Sequence, residues 1–440
     1  MRDWWIWSSD DLITWAKEAV LQPQDTPAPR AAWTECWATD AATRNGSYYF
    51  YLSIGPDQVA VMRAPTPKGP WSDPLGKPML PASLGASLVP PTTIRDPCAF
   101  TDEDGSTYIV FGVFVYYIAK LGDDMISLAE APVLINITNP LGPYGAKTDD
   151  KPFLHRANGK YYLSWGCFYA IGATPYGPFD YTGSVISTDA IDPAFRMNDS
   201  STGPWYGHQD YADRHGSFWH NGAGQWYFAS NDRSHSIDSK HPDVFRDTVI
   251  GYVHYLDNGT IAPVRIDATG VGSYDARGVI EAEDFTTLAG DGAHKCHDSQ
   301  GRFAVCGAGT RASLTLEFPN VRGIASQAAL VFRVANAGTG AASITARARR
   351  IGGVRNGNVR SHRHARETTS SLCVVAVPPT GDWDAFVDVR CTLTAPVPRN
   401  IDLIVTLNAS ESSGEDEAGN SPSAAGTRQV ALDSFRFERL

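Results

Sequence analysis

The chain has 440 residues, of which 19% are charged and 11% are aromatic, and it contains 40 glycines and 29 prolines. This length exceeds what one hydrophobic core usually supports, and the composition is typical of an all-β protein with many turns. The net charge of -11 argues against nucleic acid or an anionic membrane as the main partner. No apolar run reaches the roughly 18 residues that a membrane-spanning helix needs.

The chain begins within a strand-like pattern. Residues Trp4 to Ser8 already predict a strand, and Ser9 to Trp15 predict a turn that ends on an aromatic residue. No signal peptide is visible. We therefore expect the N-terminus to be truncated, with one or two strands missing from the first repeat.

A turn followed by an aromatic strand recurs along the first 270 residues. The turns lie at Asn45-Gly46, Asp104-Gly105, Asn158-Gly159 and Asn221-Gly222, at intervals of about 55 to 65 residues. Asn-Gly favours a tight hairpin because both central positions need positive φ. Radially repeated four-stranded sheets fit this spacing. The sequence therefore predicts a five-bladed β-propeller over residues 1–270, incomplete in its first blade.

A different pattern follows a Gly-rich linker at residues 269–278. Short alternating strands over residues 279–440 predict a β-sandwich of jelly-roll type. Cys296 and Cys306 flank a short loop in this part and are candidates for a disulfide, and the odd total of seven cysteines leaves at least one thiol.

Several segments carry a resemblance to a known family: residues 8–15, 36–40, 94–100 with 102–105, 150–152 and 215–217. On these segments, residues 1–270 resemble the family 43 glycoside hydrolases, five-bladed propellers that act on arabinose- and xylose-containing glycans. Residues 279–440 resemble the β-sandwich carbohydrate-binding modules that accompany such enzymes, on Glu281-Ala282-Glu283 and Leu432-Asp433.

The resemblance implies an inverting mechanism with three carboxyl groups. Asp96 matches the residue that modulates the pKa of the acid, although an aspartate before Pro97 is also common in turns. Asp150 falls where the family has its acid glutamate, but its side chain is one methylene shorter. The site is therefore reshaped, or Asp150 is a remnant, or Glu35 or Asp149 serves instead.

The resemblance places the base aspartate on a strand upstream of Trp4, and this chain has no such strand. Asp3 lies too close to the tryptophan strand to match. We therefore expect the 440-residue chain to be inactive or nearly so.

Other residues are matched to substrate binding. His215 matches a histidine of the propeller channel, and Arg246 aligns loosely with an arginine that contacts substrate. Trp37, Trp165 and Phe168 are candidates for a sugar platform, because sugar CH groups stack on aromatic faces. Packing in the blade core is the alternative for each of the three aromatics.

No cofactor is expected for catalysis. The resembling modules hold a structural calcium ion with the opening glutamates and the closing aspartate, here Glu281, Glu283 and Asp433. Carboxylate oxygens suit calcium. Ordinary surface acids are the alternative.

Two hypotheses result. The first is a secreted, monomeric, inverting glycosidase of the α-L-arabinofuranosidase or β-xylosidase type, which acts on plant glycans. The second is a non-catalytic carbohydrate-binding protein that has lost the base and the usual acid.

Overall fold

The computed structural model describes residues 3–27, 36–55, 57–138, 148–186, 216–232, 247–290, 292–308, 312–325, 328–349, 369–394, 396–409 and 428–439. The chain divides into two compact units. Residues 1–219 with 227–268 form the first, and residues 220–226 with 269–440 form the second. The sequence-based boundary was placed at residues 270–279.

The described residues of the first unit form five separate sheets in chain order. In the first four sheets neighbouring strands are antiparallel apart from one short parallel pair, β10 with β14. The first sheet holds β1 (Trp4–Ser8) and β2 (Ala16–Leu21); the second β3 (Thr39–Arg44), β4 (Ser47–Ile54) and β5 (Gln58–Ala64); the third β6 (Cys98–Thr101), β7 (Thr107–Phe111), β8 (Tyr117–Lys120) and β9 (Val133–Leu134); the fourth β10 (Ile137–Thr138), β11 (Phe153–Ala157), β12 (Lys160–Trp165), β13 (Phe168–Gly172) and β14 (Phe179–Ser184); and the fifth β15 (Gly216–His220), β16 (Trp226–Asp232) and β17 (Asp247–Val253).

The helical content of this unit is small. Among the described residues of this unit, one α-helix, α1 (Ala82–Ser87), lies between β5 and β6, and one 3-10 turn spans Pro23–Asp25. Among the described residues, no helix is long and apolar enough to cross a membrane.

Consecutive sheets pack face against face. Trp4 of the first sheet shares a buried cluster with Leu52 of the second, and Tyr51 of the second shares another with Ile109 of the third. Two aromatic contacts continue the series: Phe100 of β6 with Tyr161 of β12, and His155 of β11 with Phe218 of β15. This sequential packing of five sheets confirms the predicted five-bladed propeller.

Two of the three predicted Asn-Gly turns are tight hairpins, whereas Asn221-Gly222 lies in a longer turn between β15 and β16, in which Gly222 has φ of 76°. Asn45 and Gly46 have φ of 49° and 73°, and Asn158 and Gly159 have φ of 49° and 74°. Positive φ at both central residues gives the turn a twist that matches the flanking strands. The hairpins join β3 to β4 and β11 to β12.

The second unit consists of two six-stranded sheets. Alternate residues of the long strands are buried, as a sheet with one covered face requires. Phe318 and Phe435 belong to different sheets and meet edge to face with ring centroids 4.8 Å apart, so the sheets pack as a sandwich. One sheet holds β18 (Tyr274–Asp275), β20 (Thr287–Ala289), β23 (Ser313–Arg322), β25 (Ala342–Arg349), β26 (Thr369–Val377) and β28 (Asn400–Asn408); the other holds β19 (Val279–Glu281), β21 (His294–His297), β22 (Phe303–Ala308), β24 (Ala328–Asn336), β27 (Val387–Thr392) and β29 (Arg428–Arg439).

Two disulfides lie in this unit. Cys296 and Cys306 are bonded, as the sequence predicted, and link the neighbouring strands β21 and β22. The bond between Cys373 of β26 and Cys391 of β27 joins one sheet to the other. The remaining cysteines, Cys36, Cys98 and Cys167, are buried in the first unit and take part in neither disulfide.

Candidate active site

Asp96 stands in the turn that leads into β6, and its backbone is unusual. Its φ is 53°, a left-handed conformation that aspartate adopts more readily than most residues, and 6% of its surface is exposed. Its backbone N–H donates to Ser53 Oγ at the end of β4, over 2.9 Å. Its carboxylate oxygen Oδ2 accepts a hydrogen bond from the backbone N–H of Lys151, over 3.1 Å. The residue matched to the modulator therefore contacts the segment that carries Asp150.

The segment of Asp150 is fixed through its neighbour Asp149. The Tyr116 hydroxyl donates to the Asp149 carbonyl over 2.6 Å, and the backbone N–H of Phe114 donates to the same oxygen over 3.0 Å. The Asp149 side chain is buried and accepts the Asp150 backbone N–H over 2.8 Å. Asp150 is the more exposed of the two acids, which suits a group that has to reach a substrate.

The buried side chain of Lys151 brings a positive charge next to the turn of Asp96. The Lys151 residue is 6% exposed, and its Nζ donates to the Pro97 carbonyl over 3.0 Å. Its charge acts on Asp40 of β3 and on the Cys98 thiol of β6. Burial raises the pKa of the Asp40 carboxyl, and the Lys151 ammonium and the N–H groups of Ala41 and Ala99 lower it again. Burial, followed by the Asp40 charge, raises the pKa of the Cys98 thiol well above its usual value.

Trp37 is partly buried beside the turn of Asp96. The Arg95 guanidinium lies 3.9 Å from the centroid of its ring, and Arg95 Nε donates to Asp57 over 2.6 Å. The Trp37 carbonyl accepts a hydrogen bond from Trp4 Nε1 over 2.9 Å. One face of Trp37 is therefore already stacked on a cation.

The other two aromatic candidates differ in exposure. Trp165 is completely buried next to Tyr181, so its ring faces are not accessible to a sugar and the core-packing alternative applies to it. The sequence did not show this because β12 is buried on both faces. Its residues therefore lack the alternation that would separate a core aromatic from an exposed one. Phe168 of β13 is partly exposed and lies 6.4 Å from the Tyr181 ring. His215, Arg246 and the alternative acid Glu35 lie outside the described residues.

The expected calcium ligands belong to the second unit. Asp433 contacts Arg333 Nε at 3.3 Å and accepts the Ser434 hydroxyl over 2.9 Å. Glu283 is buried, and its Oε2 has no hydrogen-bond partner among the described residues.

Burial, with the charges of Asp284 and Glu281, raises the pKa of Glu283 well above its usual value. Burial lowers the pKa of the nearby Lys295 to about 8. In the part of the chain that the structure describes, no three His, Cys, Asp or Glu side chains converge as a metal site would. Glu283 therefore offers a buried carboxylate oxygen to an ion, and the calcium site stays a prediction.

Sequence reasoning missed the two residues that support Asp96. Lys151 was quoted only as part of a motif, and Ser53 was not singled out. The available signal was a lysine between the candidate acid and the apolar strand that follows it. Such a lysine indicates a specific partner, because lysine is almost never buried without one.

Comparisons with known proteins show what this chain is similar to. The family model of "Glycosyl hydrolases family 43" matches residues 1–261. A xylosidase/arabinosidase of Bacteroides ovatus is 26% identical over 266 residues, which cover 50% of this chain and 78% of that protein. An arabinoxylan arabinofuranohydrolase of Bacillus subtilis (strain 168) is 27% identical over 228 residues, which cover 41% of each chain, so this chain spans less than half of that relative.

Among solved structures, a family 43 arabinoxylan arabinofuranohydrolase from Bacillus subtilis in complex with cellotetraose aligns with a TM-score of 0.49 and 17% identity. The alignment covers 100% of this chain and 88% of that one.

Proposed function

The chain belongs to family 43 of the glycosyl hydrolases, and on this premise we propose that it cleaves arabinose- or xylose-containing glycans. The names of its relatives support this substrate class: one is a xylosidase/arabinosidase and another an arabinoxylan arabinofuranohydrolase. The corresponding activities are those of an α-L-arabinofuranosidase or a β-xylosidase.

The observation that carries the assignment of residues is the hydrogen bond from the Lys151 N–H to Asp96 Oδ2. It brings the segment of Asp150 against Asp96, although the two residues lie far apart in sequence. Inverting glycosidases need a carboxylic acid that protonates the departing oxygen and a carboxylate that activates water. We assign the acid to Asp150, and the base to none of the described residues. The proposal that this chain cleaves glycans replaces the sequence-based expectation of an inactive chain, and it requires a base among the residues outside the described ranges.

Asp96 supports the acid in this mechanism. A carboxylate beside a general acid keeps that acid protonated near neutral pH, because two neighbouring negative charges repel each other. The buried position of Asp96 strengthens this effect, since water does not screen its charge.

The test is sugar release from aryl arabinofuranosides, aryl xylosides, arabinan and xylan by wild type, Asp150→Asn and Asp96→Asn. Asp104→Asn, which changes an exposed hairpin carboxylate, is the matched control. We expect both site variants to lose at least about 100-fold in kcat/KM on xylan or arabinan and the control to lose nothing. Asp150→Asn should recover most of its loss on aryl glycosides with an acidic leaving group, which needs no proton, whereas Asp96→Asn should recover less.

A folded wild-type chain that releases no sugar but binds these glycans would contradict the proposal in favour of the non-catalytic hypothesis. Family membership does not favour that hypothesis. Proton NMR that identifies the anomer of the sugar released first tests whether the reaction inverts the configuration.

We further propose that the protein is extracellular and that residues 279–440 bind glycan. Two disulfides support the first point, because such bonds persist in oxidising compartments. The resemblance of the sandwich to carbohydrate-binding modules supports the second. Retention of the full chain on insoluble xylan, with and without competing soluble xylan, tests it.

A further inference from the structure

Lys151 occupies a position that is costly for a lysine. Its φ is 46°, in the left-handed region, and its side chain runs into the protein. A strained backbone and a buried ammonium are each unfavourable, so a residue that has both is normally held by specific contacts.

Lys151 holds the segment of Asp96 at two points. Its backbone N–H donates to the Asp96 carboxylate over 3.1 Å, and its Nζ donates to the carbonyl of the next residue, Pro97, over 3.0 Å. Lys151 therefore binds the turn of Asp96 both through its backbone N–H and through the end of its side chain.

The ammonium also lies among groups that are negative or polar. Asp40 of β3 accepts the N–H of Ala99, two residues after Pro97, over 2.9 Å, so its carboxylate lies along the same stretch of chain that Lys151 Nζ contacts. Asp149 and Asp150 precede it on its own segment, and the Phe153 ring centroid lies 5.8 Å from Nζ. Burial opposes the ionised form of Asp40, and the charge of Lys151 favours it.

We propose that Lys151 is a positioning residue of the site, which clamps the turn of Asp96 against the segment of Asp150 and places a buried positive charge beside that turn. The proposal rests on the function assigned to this site above. A neutral side chain would leave the backbone bond in place but would remove the charge, so the two parts of the role are separable.

Three variants separate them. Lys151→Arg keeps the charge, Lys151→Gln keeps a donor for the Pro97 carbonyl without the charge, and Lys151→Met keeps the length without either. Lys77→Met removes an exposed lysine and serves as the control for net charge.

The first measurement follows the Asp40 carboxyl by carbon-13 NMR against pH, with the signal assigned from Asp40→Asn. We expect its titration midpoint to rise by about one pH unit or more in Lys151→Met and in Lys151→Gln, because an opposite charge is lost. It should stay close to the wild-type value in Lys151→Arg and in Lys77→Met.

The second measurement is the pH profile of kcat/KM. We expect the midpoint of its acidic limb to lie about one pH unit higher in the two neutral variants than in the wild type. In Lys151→Arg the midpoint should equal the wild-type value. A role in packing alone would lower the melting temperature without moving this limb.

An unchanged Asp40 midpoint in both neutral variants would overturn the proposal. So would a neutral variant with the wild-type pH profile. If no form of the chain releases sugar, the proposed function fails, while the Asp40 titration still decides whether Lys151 sets the charge of the cluster. If Lys151→Met does not fold, Lys151→Gln provides the same comparison.

Discussion

Ser53 is the support of the Asp96 backbone. Its Oγ accepts the Asp96 N–H over 2.9 Å in a buried position. In Ser53→Ala this N–H loses its acceptor, which costs about 1–3 kcal/mol of unfolding free energy. We expect kcat/KM to fall as well, because Asp96 is no longer fixed in its left-handed conformation. Urea unfolding and kinetics measure the two effects.

Ser87→Ala is the control for this substitution. The Ser87 hydroxyl donates to the Leu84 carbonyl on an exposed helix end, where water replaces it. This variant should retain the stability and activity of the wild type. If Ser53→Ala matched it in both respects, the support that we assign to Ser53 would be wrong.

His155 makes the first unit sensitive to acid. The ring is stacked on Phe218 and Tyr162, and burial lowers its pKa from 6.5 to about 3. Below pH 6.5 the unfolded chain takes up a proton that the folded chain does not. The unfolding free energy therefore falls as pH falls, by about 2 kcal/mol between pH 6.5 and 5.

His155→Phe keeps a flat ring and removes this titration. The variant is less stable at pH 7 because Tyr255 loses its 2.8 Å partner at Nε2. Its urea midpoint should nevertheless drop less than that of the wild type between pH 7 and pH 5. An equal drop in the two proteins would contradict the prediction.

At the scale of elements, Gly112 fixes the end of β7 beside the turn of Asp96. Its φ is 123°, a Cβ would lie 2.2 Å from the Val115 carbonyl oxygen, and its N–H donates to the Arg95 carbonyl over 3.0 Å. We expect Gly112→Ala to cost about 3 kcal/mol or more and to lower kcat/KM, because the backbone next to Asp96 has to move.

Gly46→Ala is the matched control because it changes a glycine of positive φ, 73°, whose Cβ would meet nothing within 4 Å. It should cost only about 1 kcal/mol, the conformational part of the penalty. Urea unfolding of both variants measures the difference. Equal costs would show that β7 relaxes freely at this point.

The same elements show what the sequence could predict. Asn45-Gly46 and Asn158-Gly159 predict hairpins because the preference of these two residues for positive φ depends on the turn alone. The contact between Lys151 and Asp96 is not local: the residues are 55 positions apart, and both adopt positive φ without being glycine. No sequence rule places such a pair together, so the role of Lys151 emerged only from the structure.

At the scale of the molecule, cysteine chemistry divides the two units. The second unit has two disulfides, and the first has three buried thiols. We expect three thiols per chain to react with a thiol reagent after unfolding without reductant, and seven after reduction. Reduction should also lower the unfolding free energy of the second unit, by about 3 kcal/mol for the 18-residue loop closed by Cys373 and Cys391.

A reagent count of seven without reductant would contradict these pairings. A thermal transition of the second unit that reduction left unmoved would instead show that the loops are held by packing. The transition is followed by calorimetry on the full chain.

Calcium tests the second unit in another way. If Glu283 Oε2 binds the ion, calcium at about 100 times its dissociation constant should add about 2.7 kcal/mol of stability. Glu283→Gln should abolish that gain. If calcium leaves the melting temperature unchanged and the variant is as stable as the wild type, Glu283 is a buried protonated acid and the predicted site is wrong.

The left-handed conformations of Asp96 and Lys151 have a consequence for directed evolution of this protein. Glycine adopts such conformations without strain, so Asp96→Gly and Lys151→Gly relieve the backbone at both positions. Selection for heat resistance alone would enrich these changes if the relief of strain exceeded the loss of the hydrogen bonds that Asp96 and Lys151 make, and it would then erase the candidate site. Libraries built on this chain should therefore hold both positions fixed or select for turnover in the same round.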